Sequence, residues 1–261
     1  MSTSPPRSAL LGSWGTAWLA GDATLPDLLA QVTAEDDRHE VIGLGPDDLP
    51  LDRAVGQLRA AGVTSMRVLL PVPGDVLGLP GPGAFSSAAL TASEGLLALR
   101  PDLTGFGLVP TLTAHRSTFD GTVTTVAWTA YALTAPVPDV GPWLHDAEHD
   151  LRRGLVEVTA VLQELDTARW RNDLAGALAE LRAQARAGMD RDELPHGYPA
   201  RARAVLVQAR TLAGVLSLAG RDVGGALDTT TAFAREQALR RLELLVRRAR
   251  VAAYNSYGHP S

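Results

Sequence analysis

The chain has 261 residues, 46% apolar and 20% charged, with a formal net charge of −5, a composition too apolar for a disordered protein. Cysteine is absent and all 24 basic residues are arginine. Those two absences exclude thiolate nucleophiles, disulfides, Cys-ligated zinc, iron–sulfur clusters, Lys Schiff bases and the Lys-dependent phosphate loop.

Near the start, Leu11, Trp14 and Trp18 recur at helical spacing and predict an amphipathic helix. Gly12, Ser13, Gly15 and Thr16 dilute the apolar centre that a secretory leader needs. A helix is predicted over Thr24–Thr33, with Pro26 in its first turn, followed by a brief strand at Val41–Leu44. Leu51–Ala61 carries a helical stripe and Met66–Leu70 reads as a buried strand, together suggesting a β-α-β unit. Ala84–Thr91 is a short helix; Leu96–Leu99 and Phe106–Val109 are strands around the turn Arg100-Pro101-Asp102. Asp120-Gly121 leads into a long strand over Val123–Leu133. Pro110 has no N–H to donate, so its strand should end there or lie at an edge.

After Pro136-Val137-Pro138 the pattern turns helical. Four amphipathic helices are predicted: Trp143–Leu165, Thr167–Ala187, one opened by Pro199, and one capped by Asp228 or Thr229 that runs to about Tyr254. The expected fold is therefore α+β, a small mixed sheet with flanking helices over 1–138, then a four-helix antiparallel layer or bundle over 139–261. The two parts are expected to pack as one compact unit. No run of 18 apolar residues predicts a membrane span. Residues 1–140 hold 7 Arg against 14 acidic groups, and residues 141–261 hold 17 against 15.

Three patterns carry candidate chemistry. His145-Asp146-Ala147-Glu148-His149 stacks two imidazoles at i and i+4 on one helical face. That H-x-x-E-H spacing resembles the inverzincin metalloproteases, a resemblance implying His145 and His149 as zinc ligands and Glu148 as the group that activates water. It covers five residues, and those enzymes need a further Glu ligand downstream. The plainer reading is a solvated helix start, whose positive end favours Asp146, Glu148 and Asp150. The second pattern is the Pro- and Gly-rich loop Pro71–Gly83, with Pro73, Gly74, Asp75, Gly78 and Pro80 as a candidate binding loop or a stiff connector. The third is the last helix, where Arg240, Arg241, Arg247 and Arg248 form a basic face, partly matched by Glu236 and Glu243. Neither G-x-G-x-x-G nor G-x-S-x-G occurs.

The stretches Leu69–Pro82, Gly107-Leu108-Val109-Pro110 and Arg250–Asn255 resemble a family of uncharacterised proteins from high-GC actinobacteria. The resemblance implies a bacterial cytoplasmic origin and brings no catalytic residue. Without a convergent acid–base or nucleophile set, the expected function is a non-enzymatic cytoplasmic binding or protein-interaction role with no cofactor. The partner is expected to be another protein or a second copy, with a small-molecule ligand as a further option and no nucleic acid or membrane. The alternative is a metal-dependent hydrolase using His145, His149 and Glu148. A weaker one is nucleic-acid contact by the last helix.

Overall fold

Elements follow the sequence pattern closely in the computed structural model, which describes residues 5–117, 121–165, 193–221 and 229–258. The helices are α1 (Arg7–Ala20), α2 (Leu25–Val32), α3 (Leu51–Ala60), α4 (Ala84–Ala92), α5 (Leu144–Leu165), α6 (Ala200–Arg221) and α7 (Thr229–Tyr254). The strands are β1 (Arg38–Ile42), β2 (Leu49–Pro50), β3 (Ser65–Leu69), β4 (Gly95–Leu99), β5 (Gly105–Ser117) and β6 (Gly121–Leu133). Among the described residues the chain is thus α+β, with a six-stranded mixed sheet and seven helices. They divide into two units: residues 5–141 together with Glu193–Tyr198, and the described parts of Pro142–Asp192 and Pro199–Ser261. The predicted helix Thr167–Ala187 lies outside the described residues.

In the first unit the strand order is β2-β1-β6-β5-β4-β3. Only β1 and β6 pair in parallel; every other neighbouring pair is antiparallel. The expected β-α-β unit is therefore not formed: β1 and β3 lie well apart in the sheet and run in opposite directions. The local pattern predicted each element, but strand order depends on long-range pairing that a short window does not carry. Pro110 sits inside β5, opposite Trp128, and the strand continues to Ser117. The β4 ladder along β5 stops at Leu108, so Pro110 lies just where one side of β5 loses its partner strand and a missing N–H leaves no ladder gap there.

Period-two alternation assigns the two faces of the sheet. Met66, Val68 and Leu96 meet α1, which approaches so closely that a Cβ on Gly12 would lie 2.5 Å from Val68 Cγ2 and 2.9 Å from Leu96 Cδ1. That helix is buried on almost every side, from Ser8 to Gly15 and again at Ala17, so the one-sided amphipathic helix expected there is instead a core helix. On the opposite face Phe85 and Ala89 of α4 pack with Leu69, Leu97, Leu99, Val109 and Val137. Covered on both faces, β4 is buried at all five positions, which is why it reads as an unbroken apolar run. A capping box starts α2: Asp27 N–H donates to the Thr24 side chain, and Thr24 N–H donates back to the Asp27 carboxylate. In the β4–β5 turn the Thr104 hydroxyl and N–H both donate to Asp102, holding its carboxyl below the usual range.

In the second unit, α5 buries Ala147, Leu151 and Val158, and α7 buries Ala238, Leu242, Val246 and Ala249. The two helices meet where Gly154 faces Leu245; a Cβ at Gly154 would lie 2.1 Å from Leu245 Cδ1. α6 buries Ala202, Val205, Leu206, Ala209, Leu212 and Leu216. Phe233, assigned to the apolar stripe of the last helix by its spacing, is exposed. No described helix is long and apolar enough to cross a membrane.

Candidate functional site

Positions i, i+3, i+4 and i+7 of a helix share one face, and on α5 these are His145, Glu148, His149 and Arg152. Together with Arg201, in the first turn of α6, they line an open cleft of about 270 Å³. The hydrophobic stripe Ala147, Leu151 and Val158 sets the rotation of α5, and that rotation buries Glu148 while His145 and His149 remain exposed. A lone buried carboxylate is costly. Here Arg152 Nη2 donates to Glu148 Oε1 at 2.5 Å, and Arg201 Nε lies 3.3 Å from Oε2. The Glu148 side chain is only 11% exposed, against 67% for Arg152 and 40% for Arg201. The carboxylate is thus the floor of the cleft, and its two oxygens tie guanidinium groups from two helices.

This arrangement bears directly on the hydrolase alternative. The H-x-x-E-H spacing does bring His145, Glu148 and His149 to one cleft. Each oxygen of Glu148 already faces a guanidinium nitrogen, so a water at this carboxylate would share it with Arg152 and Arg201. Among the described residues, no three His, Asp or Glu side chains come together in a way that would hold a metal.

The other candidate residues lie elsewhere. In the loop after β3, Val72 and Asp75 exchange both backbone hydrogen bonds, at 3.0 and 2.9 Å, closing a tight turn over Pro73 and Gly74. Asp75 and Gly78 are buried, Pro80 is half-buried, and Pro73 and Gly74 are exposed. The ligand site usual after a parallel strand does not apply, because β3 is an antiparallel edge strand. On α7, Arg240 Nη2 bonds Glu236 at 2.5 Å and Arg241 Nη2 lies 2.7 Å from Glu157 of α5. Arg247 and Arg248 are half-buried and also have partners. The basic face is largely matched within the protein.

One polar cluster in the first unit escaped the sequence reading. Asp36, its side chain fully buried, accepts two bonds from Arg7, Nε at 2.6 Å and Nη2 at 2.8 Å, and a third contact from His39 Nε2 at 3.1 Å. Trp128 Nε1 donates to His39 Nδ1 at 3.2 Å. An indole N–H only donates, so His39 Nδ1 is the bare nitrogen and its proton sits on Nε2, facing Asp36. Burial lowers the His39 pKa, with the Arg7 charge adding to the effect, against the opposing hydrogen bond and charge of Asp36. Burial also works against the Arg7 charge, but Asp36, Glu35 and Glu94 outweigh it and raise that pKa. The cluster pins the start of α1 to β1 and β6. Parallel register puts His39 opposite Val126 and Val41 opposite Trp128, so His39 and Trp128 are diagonal neighbours on one face. No local motif announces a pair 89 residues apart.

Two family models match successive stretches of the chain. Residues 8–143 match the family described as "Rv1486c-like protein, N-terminal domain", and residues 145–251 match "Rv1486c-like protein, C-terminal domain". The chain is 28% identical over 288 residues to "Uncharacterized protein Rv1486c" of Mycobacterium tuberculosis (strain ATCC 25618 / H37Rv), covering 97% of each chain. It is 28% identical over 294 residues to "Uncharacterized protein ML1804" of Mycobacterium leprae (strain TN), again covering 97% of each. A shorter match, 33% over 177 residues, covers 56% of this chain and 57% of "Uncharacterized protein MAV321" of Mycobacterium avium. No solved structure matches. These relatives bring no assigned activity, and nothing among them favours the hydrolase alternative. Matched along nearly its whole length, the chain belongs to the Rv1486c-like family of actinobacterial proteins.

Proposed function

We propose that this is a non-enzymatic cytoplasmic binding protein whose described site lies on α5 and α6. The observation that carries the reading is Glu148: buried, hydrogen-bonded to Arg152 and ion-paired with Arg201, it holds donors in place instead of standing free to activate water. A binding site needs fixed donors around a cavity, and this cleft has them. The reading includes the α5, α6 and α7 helices as three members of a four-helix antiparallel layer that keeps the α5 face rigid.

Elemental analysis of protein purified without chelator tests the proposal. Far less than one transition-metal ion per chain is the expected result. One ion per chain, lost on His149→Ala while circular dichroism stays unchanged, would overturn it in favour of the hydrolase.

A further inference from the structure

We infer that the cleft of His145, Glu148, His149, Arg152 and Arg201 binds the phosphate group of a small phosphate monoester. The inference rests on the binding-protein reading above and names the ligand class. Its first support is the donor set. Arg152 and Arg201 each engage Glu148 through one nitrogen, and among the described residues no other acceptor is recorded for the rest of either fork. A guanidinium carries five N–H groups, so most of each fork remains to bind a second acceptor. His145 and His149 add an N–H each, whatever their charge.

The sign of the site is the second support. Two guanidiniums against one carboxylate leave the cleft net positive, inside a chain whose overall charge is −5. His145 also lies in the first turn of α5 and Arg201 in the first turn of α6, where partial positive charge from the helix adds to the side chains. Glu148 plays a defined part: its two oxygens draw guanidiniums from neighbouring helices to one place before the ligand arrives, which lowers the ordering cost of binding.

Geometry then selects the anion. A planar carboxylate is satisfied by a single fork, whereas four donors from two helices suit a tetrahedral oxyanion with several oxygens. A cleft of about 270 Å³ admits a phosphate with a small organic group attached.

The experiment follows the His145 and His149 imidazole NMR signals in chelator-treated protein at constant ionic strength. Inorganic phosphate, glycerol phosphate and acetate are added in separate arms. Saturable shifts with both phosphates, and affinity ~10-fold weaker for acetate, are expected. Arg152→Ala, at an exposed position that leaves the fold intact, weakens phosphate binding ~10-fold. No saturable shift with either phosphate overturns the inference, as does acetate binding equally well or Arg152→Ala binding phosphate as tightly as the wild type. Failure here in metal-free protein leaves the binding-protein reading standing, because that reading falls only on stoichiometric metal.

Discussion

His39 shows how one buried side chain can set a pH dependence. Its Nδ1 is held by the Trp128 N–H, its Nε2 proton points to Asp36, and burial keeps its pKa below the ordinary imidazole value. In the unfolded chain the same ring takes up a proton as pH falls below about 6.5. Between that value and the lower folded pKa the unfolded state binds more protons, so this contribution to stability is complete above about pH 6.5 and is lost as pH drops below it. An NMR titration should place the His39 midpoint below the ordinary imidazole value. Trp128→Phe frees Nδ1 and moves the midpoint upward, at a cost of about 1 kcal/mol for the lost hydrogen bond. A wild-type His39 that titrates at or above the ordinary value would contradict the assigned tautomer.

At the scale of elements, α1 gives a test of packing against propensity. Replacing a mid-helix glycine by alanine ordinarily stabilises a helix by about 1 kcal/mol. Gly12, however, faces Val68 and Leu96 at distances no Cβ tolerates, and the β-branched Val68 cannot swing aside. Gly12→Ala should therefore destabilise the protein by about 1–3 kcal/mol in urea unfolding. Gly15→Ala meets only the flexible side chain of Met66 and should cost less. A stabilising Gly12→Ala would mean α1 stands farther from β3 and β4. The same helix marks the limit of reading periodicity. Leu11, Trp14 and Trp18 announced a helix, yet nothing local announced that its polar-looking side, Ser8 and Ser13, would also be buried. The start of α2 near Thr24 and the Arg100–Asp102 turn were legible because their determinants lie within four residues. The place of β3 at the far edge from β1 was not, because a strand's neighbours are chosen by contacts distant in sequence.

For the whole molecule, the sequence shows the His145–His149 spacing but not what folding brings beside it. His145, Glu148 and His149 stood out because helical spacing alone puts them on one face. Arg201 is 53 residues farther along the chain than Glu148, and only folding reveals that it closes the same cleft. That one contact changes the meaning of the motif, from a free carboxylate beside two imidazoles to a carboxylate with a guanidinium on each oxygen. One Rv1486c-like family match ends at residue 143 and the next starts at 145, in the first turn of α5.

The account turns on Glu148 gripping a guanidinium from another helix, and a double-mutant cycle measures that grip directly. Glu148→Gln, Arg201→Gln and the double variant are compared with wild type by urea unfolding. Because the carboxylate is buried and the guanidinium partly exposed, a coupling of about 1 kcal/mol is predicted, at the upper end for such pairs. Strict additivity of the two substitutions would contradict the account, leaving Glu148 without a partner on α6.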